Sequence, residues 1–222
     1  MKPVGWLPPH GPAETALACD RGRKARLLVI PALFDEANKL RRLTVEVMRR
    51  LDRAGVDCFL PDLPGCNEST APLEIQTPES WRAAMRAAAA EFAATHVLAL
   101  RGGALIAPEG LPGWRYAPVK GAAILRQMLR ARTLAAREAG REEPAEAIMA
   151  AARGDGVELA GYRLGAAMVR AFETLTPAPA PGVFQIDQDM IGGSGLWLRA
   201  EPSENRMQAD ALAAIIAVGI AS

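Results

Sequence analysis

The sequence has little of the chemistry that metal sites and hydrolytic sites commonly use. It contains three cysteines and two histidines among 222 residues. Cys19, Cys58 and Cys66 are odd in number and show no Cys-x-x-Cys spacing, so they indicate neither a disulfide framework nor a zinc motif. We therefore predict no metal site and no cofactor. The cysteine usage favours a reducing, cytoplasmic compartment.

An excess of charge of either sign is also lacking. Lysine and arginine number 26 against 25 aspartate and glutamate residues, so no global field would steer the protein toward nucleic acid or an anionic membrane. The most apolar run, 209–221, contains Asp210 and is shorter than the ~20 residues that cross a bilayer. Prolines replace the apolar core of a secretion signal near the N-terminus. We predict no nucleic-acid partner and no transmembrane segment.

Apolar residues are abundant, at 50% of the chain, and suffice for one substantial core. In the first half, strand-like and helix-like patterns alternate. Strands are predicted at 26–30, 56–60 and 97–100, and helices at 38–54 and 78–94. This alternation is typical of a parallel sheet with helices on both faces. We expect residues 1–14 to be irregular and the runs 15–19 and 26–30 to form a hairpin.

The alternation stops in the second half of the chain. After a predicted strand at 114–119, helices are predicted at 121–139, 144–152 and 163–175, with a short strand or loop at 154–161. We interpret residues 120–175 as a small helical cap-like insertion in a single domain, 1–222. The proline-rich linker 176–182 would return the chain to the sheet. Strands at 183–186 and 196–199 and a helix at 205–220 would complete it.

One segment resembles the strand-to-helix turn that carries the nucleophile of α/β-hydrolases. The predicted strand 97–100 runs into a glycine turn, where an α/β-hydrolase would read Gly-x-Ser-x-Gly. Here residues 99–103, which we call the elbow, read Ala-Leu-Arg-Gly-Gly. Gly102 and Gly103 permit a tight turn. Arg101 replaces the serine and cannot lose its proton near neutral pH, so it cannot act as a nucleophile.

The other members of a catalytic triad are also incomplete. A triad needs a nucleophile, a histidine base and an acid that orients the base. Asp187 or Asp189, after the strand predicted at 183–186, could supply the acid. His10 and His96 both precede the elbow, and the expected base position falls near Glu201. The sequence predicts the loss of conventional serine hydrolysis.

A substitute nucleophile could come from the loop 61–69, which would lie near the carboxyl ends of the strands. Cys66 and Ser69 are the candidates. A reactive thiol needs a nearby base or a positive field, and Arg101 could provide the field. The alternative, which we favour, is that Cys66 is a small packed residue.

Arginine at a helix start is unfavourable unless a negative group approaches it. That group is either a ligand carboxylate or phosphate or a carboxylate of the chain. The carboxylates predicted at the same edge belong to Asp35, Glu36, Asp187 and Glu201. We favour an internal pair, and Arg101 with Glu201 is the pair that we expect.

If a ligand binds instead, the predicted binding set comprises Arg101, Gly102, Gly103, Asn38, Lys39 and Glu201. Asn38 alone is better explained as a helix cap and Lys39 as a solvated side chain. Trp114, Tyr116 and Tyr162 either line the pocket or belong to the core.

Several segments together resemble the exosortase A system-associated hydrolase 2 family. They are 28–42, 61–69, 98–104, 117–127 and 159–164. The resemblance implies a three-layer α/β-hydrolase-like sandwich with a mostly parallel sheet. It also implies a gene context of bacterial exopolysaccharide and protein-sorting loci, and an arginine at the elbow as a family trait. A fold does not by itself establish an activity.

Three hypotheses follow. The protein is a binding or accessory component of an exopolysaccharide or protein-sorting system that lacks the triad and binds an anionic small molecule or acyl ligand. Alternatively, it is an active hydrolase or acyltransferase on an ester or thioester that uses Cys66 or a group supplied by a partner. In the third, it needs a protein partner or a second copy, which contacts the arginine-rich face of helix 38–54 or an apolar cap surface.

Overall fold

A computed structural model of the chain describes residues 1–221. The strands are β1 (Lys2–Trp6), β2 (Glu14–Cys19), β3 (Arg26–Ile30), β4 (Asp57–Pro61), β5 (His96–Leu100), β6 (Gly113–Tyr116), β7 (Val157–Leu159), β8 (Tyr162–Leu164) and β9 (Val183–Ile186). The α-helices are α1 (Asp35–Arg53), α2 (Pro78–Glu91), α3 (Gly121–Glu138), α4 (Ala145–Asp155), α5 (Ala166–Thr174), α6 (Gln188–Ile191) and α7 (Arg206–Ala221). Short 3₁₀ turns occupy Leu73–Ile75, Arg101–Leu105 and Leu196–Leu198.

Seven strands form the central sheet in the order β1-β2-β4-β3-β5-β6-β9, and β7 pairs with β8 in a separate hairpin. Within this sheet, strands β4, β3, β5, β6 and β9 are parallel to one another. Strands β1 and β2 extend the sheet in antiparallel pairing. Helices α1 and α7 cover one face, whereas α2, α3 and α5 pack on the other. The predicted three-layer α/β sandwich with a mostly parallel sheet is confirmed.

The core follows from the alternation of side chains along each strand. On β3 and β5, Leu28 and Val97 join the apolar cluster of α2, α3 and α5. Their neighbours Leu27 and Leu98 join the cluster of α1 and α7. Parallel strands buried on both faces read as continuous apolar runs, which explains why these two strands were predictable.

Two predictions about the N-terminal part are wrong. Residues 1–14 are not irregular throughout, since residues 2–6 form β1, which pairs with β2 along its whole length. The runs 15–19 and 26–30 form no hairpin, because β4 lies between β2 and β3. The turn that joins them is tied to β4 instead: the backbone N–H groups of Arg21 and Arg23 donate hydrogen bonds to the Asp57 carboxylate at 3.1 and 2.8 Å.

The strand predicted at 196–199 is also wrong, since Leu196–Leu198 forms a 3₁₀ turn. The Trp197 ring folds over Gly195, where an added Cβ would lie 2.4 Å from a ring carbon. Over residues 1–221, β9 is therefore an edge strand of the sheet. The segment that would have formed another strand covers the carboxyl end of the sheet instead.

Two helix starts differ from the prediction by three residues. Helix α1 begins at Asp35, with Phe34 as its N-cap, so Asn38 lies inside the helix and is not its cap. Helix α5 begins at Ala166, because the residues before it pair in the β7–β8 hairpin.

Residues 120–175 contain α3, α4, the β7–β8 hairpin and α5. Of the strand or loop expected at 154–161, residues Val157–Leu159 form the short strand β7. Buried side chains of this segment, including Leu125 and Phe172, belong to the same apolar cluster as Leu28 of the sheet. We retain the description of 120–175 as a cap-like insertion in a single domain as a proposal.

The described part of the chain contains no helix that is both long and apolar enough to cross a membrane. Within it, no group of three or more histidine, cysteine, aspartate or glutamate side chains is arranged to hold a metal ion. All three cysteines are free thiols.

Candidate functional site

The elbow lies at the carboxyl end of β5 in a strained conformation. Arg101 has a φ of 51°, and Phe34 and Ala117, which follow β3 and β6, have φ values of 55° and 43°. Left-handed backbone at a residue with a side chain costs on the order of 1 to 3 kcal/mol. Such conformations persist only where surrounding contacts stabilise them. The neighbouring residues must therefore hold this edge of the sheet firmly.

The two glycines of the elbow are required by close packing. A Cβ at Gly103 would lie 2.4 Å from the carbonyl oxygen of Pro31, and one at Gly102 would lie 2.7 Å from Cδ1 of Ile124. The positive φ that usually favours glycine is adopted by Arg101, and neither Gly102 nor Gly103 adopts it. The glycine pair predicted the tight turn, but no sequence feature marked Arg101 as the residue with positive φ.

The Arg101 guanidinium is held on three sides. Its Nε and Nη2 donate to the Glu36 carboxylate at 3.0 and 2.9 Å. Nη1 donates to the carbonyl oxygen of Ala117 at 2.8 Å. The guanidinium carbon lies 3.9 Å from the centre of the Trp197 ring. Only 12% of the Arg101 side chain and 6% of the Glu36 side chain are exposed, so this is a buried, bidentate ion pair.

The prediction that Arg101 pairs with Glu201 is wrong in its partner. Glu201 is exposed, and Glu36, another of the candidate carboxylates, forms the pair. The reason lies in the strand order. Glu36 follows β3, which is the sheet neighbour of β5, so the two residues meet at one edge. Glu201 lies beyond the 3₁₀ turn that replaces the expected strand.

Trp197 is the contact that sequence analysis missed, because its segment was predicted to be a strand. Its ring also packs edge-on against Tyr116, at 5.8 Å between ring centres. The Tyr116 hydroxyl donates to Oε1 of Gln188, and burial raises the pKa of this hydroxyl. Tyr116 therefore stays neutral and supports the aromatic cover over Arg101.

The other predicted ligand-binding residues are not joined to Arg101. Lys39 forms an ion pair with Asp35 at 2.7 Å. Asn38 is an exposed residue of α1 that borders a separate cavity. Among residues 1–221, no hydrogen bond links Asn38, Lys39 or Glu201 to the guanidinium.

Neither candidate nucleophile on the loop 61–69 is prepared for attack. The Ser69 hydroxyl donates to Glu14 at 2.7 Å and accepts from the backbone N–H groups of Gly65 and Ala71 at 2.8 and 3.1 Å. These bonds fix the loop 61–69. Burial raises the pKa of the Cys66 thiol to about 12, so it is protonated at neutral pH.

Neither His96 nor the candidate acid Asp187 is joined to the elbow. His96 begins β5, at the end of the strand opposite to Arg101, and stacks on Trp114 at 5.9 Å between ring centres. Burial lowers the pKa of His96. Asp187, the candidate acid, is exposed and accepts a hydrogen bond from Gln185 at 2.7 Å. The structure brings none of these groups together with Arg101.

The state of the cysteines leads to a first prediction. In the native protein we expect the thiols to react with a disulfide reagent such as DTNB far more slowly than free cysteine, because the thiolate is the reacting form and the pKa values of Cys19, Cys58 and Cys66 are all raised. With a pKa of about 12 at Cys66, its rate should rise about tenfold per pH unit from pH 7 to 10. A plateau below pH 9 would contradict this. Denatured protein, with all three thiols reacting, provides the control.

A small cavity of about 240 Å³ opens between α1 and the loop 61–69. Its wall is largely apolar and includes Phe34, Leu63, Cys66 and Tyr162. The polar side chains that line it belong to Asn38, Arg41, Thr44 and Asn67. The cavity lies at the carboxyl ends of β3 and β4, the edge where open parallel sheets bind ligands.

No protein-family model matches the sequence, and the search of curated proteins finds no match. Solved structures do resemble this one. An α/β-hydrolase, GrgF from Penicillium sp. sh18, is 13% identical, with a TM-score of 0.55 over 85% of this chain and 80% of its own. DcsB is 10% identical, with a TM-score of 0.60 over 100% and 99% of the chains. The bottromycin epimerase BotH is 13% identical, with a TM-score of 0.54 over 100% and 99%.

At these identities the likeness concerns architecture alone. The similar proteins include one named as a hydrolase and one named as an epimerase, so the shared fold is compatible with different chemistries. Together with the sheet order and the strained turn after β5, the comparisons lead to one conclusion: this chain has the α/β-hydrolase fold, with a buried ion pair at its elbow.

Proposed function

We propose that the protein is a non-catalytic, binding or accessory member of the α/β-hydrolase fold. One observation carries the proposal: Arg101 occupies the nucleophile position and is held by Glu36 at 2.9 to 3.0 Å. A guanidinium cannot attack a carbonyl. Its donors are directed at protein oxygens, so they are not free to stabilise a developing oxyanion.

Binding is the role that the remaining geometry supports. The 240 Å³ cavity combines an apolar wall with a few polar side chains, the usual composition of small-molecule sites. Arg41 is 45% exposed and lies 3.5 Å from Asp62, a weak contact that leaves its guanidinium available. We propose a small anionic molecule as the ligand of this cavity, with Arg41 and Asn38 as its polar contacts.

The proposed setting is a cytoplasmic exopolysaccharide or protein-sorting system. This setting is supported by the five segments between residues 28 and 164 that together resemble the exosortase A system-associated hydrolase 2 family. The protein would act there through a protein partner or a second copy. Size-exclusion chromatography with and without proteins encoded in such a locus tests this setting: co-elution supports it, and a monomer that never co-elutes contradicts it.

The absence of catalysis is directly testable. We expect no turnover of short p-nitrophenyl esters or acyl thioesters above the buffer rate. Cys66→Ala should not change this, because burial and the nearby carboxylates of Asp62 and Glu14 raise the pKa of the thiol and keep it protonated. Arg101→Ser should also remain inactive, because it restores a hydroxyl without a histidine. The assay measures p-nitrophenol or free thiol release at neutral pH.

The same assay contains the result that would overturn the proposal. Turnover that is well above background in the wild type and abolished by Cys66→Ala would instead identify an active hydrolase or acyltransferase of unusual chemistry. Ser69→Ala, which removes the hydroxyl bonded to Glu14, is the matched variant on the same loop and tests the other candidate nucleophile.

A further inference from the structure

A second, larger cavity lies on the face of the sheet that α2, α3 and α5 cover. Its volume is about 790 Å³, within the range of roughly 300 to 1,000 Å³ that ligand sites occupy. Neither Arg101 nor any of the three groups that hold it lines this cavity. We call it the sheet-face groove.

The groove exists because the crossover from β5 to β6 is short. Residues 101–112 form one 3₁₀ turn and a loop, so no α-helix of this crossover covers β5 and β6. The proline-rich linker 176–182 runs along the groove instead. A parallel sheet is normally covered on both faces, and here the cover is incomplete.

Most of the groove is apolar. Val97 and Ala99 of β5 form part of its lining, with Leu105 on one side and Pro179 of the linker on another. Such walls suit a hydrocarbon chain, since burial of apolar surface contributes roughly 25 cal/mol per Å².

Two arginines interrupt the apolar lining without carboxylate partners. Arg115 donates from Nη1 to the carbonyl oxygen of Ala178, and its buried Nε has no acceptor among residues 1–221. Arg82 donates from Nη2 to the carbonyl oxygen of Leu105 at 3.0 Å. No ion pair within 4.0 Å involves either side chain in the described chain, and Glu109 at the rim is exposed.

An unpartnered donor of this kind is costly. A buried donor without an acceptor costs about 1 to 3 kcal/mol, and more when it is charged. Burial also lowers the pKa of Arg115, as expected for a cation in apolar surroundings. Arg115 Nη2 donates to no atom of residues 1–221 and is less buried than Nε, so it is the donor that a carboxylate in the groove can reach.

We propose that the sheet-face groove binds an unbranched acyl carboxylate, with its carboxylate on Arg115 and its chain along the apolar lining. Arg82 adds positive charge to the same groove. A single anionic head group fits one half-buried guanidinium, whereas a phosphate dianion would require further donors. This site is independent of the elbow and of the smaller cavity beside α1.

Isothermal titration calorimetry of the full chain with decanoate tests the proposal, with 1-decanol as a neutral probe of the same length. We expect decanoate to bind at micromolar concentrations and 1-decanol to bind at least tenfold more weakly. Arg115→Met should weaken decanoate binding at least tenfold and leave 1-decanol binding unchanged. Arg163→Met, at an arginine that is 75% exposed on β8, is the matched control and should bind like the wild type.

Two further variants protect the test against misfolding. Arg115→Lys keeps the positive charge but loses the paired donors of the planar guanidinium, so it should bind decanoate with intermediate affinity. Ala107→Trp, at a partly buried residue of the groove lining, should fill the groove and abolish binding of both probes. Thermal unfolding establishes that each variant is folded. The proposal is overturned if decanoate does not bind, if Arg115→Met binds it like the wild type, or if 1-decanol binds equally well.

Discussion

Replacement of Glu36 by alanine is expected to lower the free energy of unfolding by about 3 to 5 kcal/mol, the usual cost of removing one partner of a buried ion pair. The variant leaves the Arg101 guanidinium with one carbonyl acceptor and the Trp197 ring in a site where 12% of the side chain is exposed. Urea denaturation followed by circular dichroism measures the loss.

Glu201→Ala is the matched control, since Glu201 is the exposed carboxylate that sequence analysis favoured as the partner. It should change the free energy of unfolding by less than about 0.5 kcal/mol. The double variant Glu36→Met with Arg101→Met should recover much of the lost stability, because apolar residues can replace a buried pair at little cost. If Glu201→Ala proved more damaging than Glu36→Ala, the assigned pair would be incorrect.

A second large effect is expected at the opposite end of the parallel strands. Asp57 begins β4 with a fully buried side chain. Besides two backbone N–H groups, its carboxylate accepts from Arg23 Nη1 at 3.3 Å and Arg26 Nη1 at 3.2 Å. Asp57→Ala should cost about 3 to 5 kcal/mol, because it leaves buried donors and cations without their shared acceptor.

The expected order of variants makes this prediction sharper. Asp57→Asn keeps one oxygen acceptor and should lose less stability than Asp57→Ala. Asp189→Ala, at an exposed carboxylate of α6, should be nearly neutral. Equal, small losses for Asp57→Ala and Asp189→Ala in thermal unfolding would show that Asp57 does not anchor the turn 20–25 to β4.

The parts of the fold that could be predicted are those that local sequence determines. Strands β3 and β5 are continuous apolar runs, and α2 begins at Pro78, as predicted, with Thr77 as its cap. The strand predicted at 196–199 was wrong because the periodicity of a short apolar stretch does not distinguish a strand from a 3₁₀ turn. Strand order also escaped prediction, since the pairing of β2 with β4 depends on contacts across forty residues.

The candidate site divides in the same way. The loss of the nucleophile and the need for an anion near Arg101 followed from residue chemistry alone. The identity of that anion did not, because Glu36 reaches the elbow only when β3 and β5 are neighbours. The sheet-face groove could not be predicted either, since it results from a missing crossover helix and no sequence motif marks it.

Under the proposed function, the elbow has the strained geometry of the turn after β5 without a nucleophile. In an α/β-hydrolase this turn exposes a nucleophile. Here the turn directs a guanidinium into a carboxylate, a carbonyl oxygen and an aromatic ring. The ion pair links the carboxyl end of β5 to the start of α1, and we predict that it contributes to stability.

We propose that Arg101, paired with Glu36, is a structural cation. A double-mutant cycle with Glu36→Ala, Arg101→Ala and the double variant tests it most directly, because the cycle isolates the energy of the pair from other effects of each substitution. The predicted coupling free energy is at least about 2 kcal/mol, which lies toward the upper end of the coupling energies measured for residues in contact. A coupling below about 0.5 kcal/mol would mean that the pair does not hold the elbow and would contradict the account.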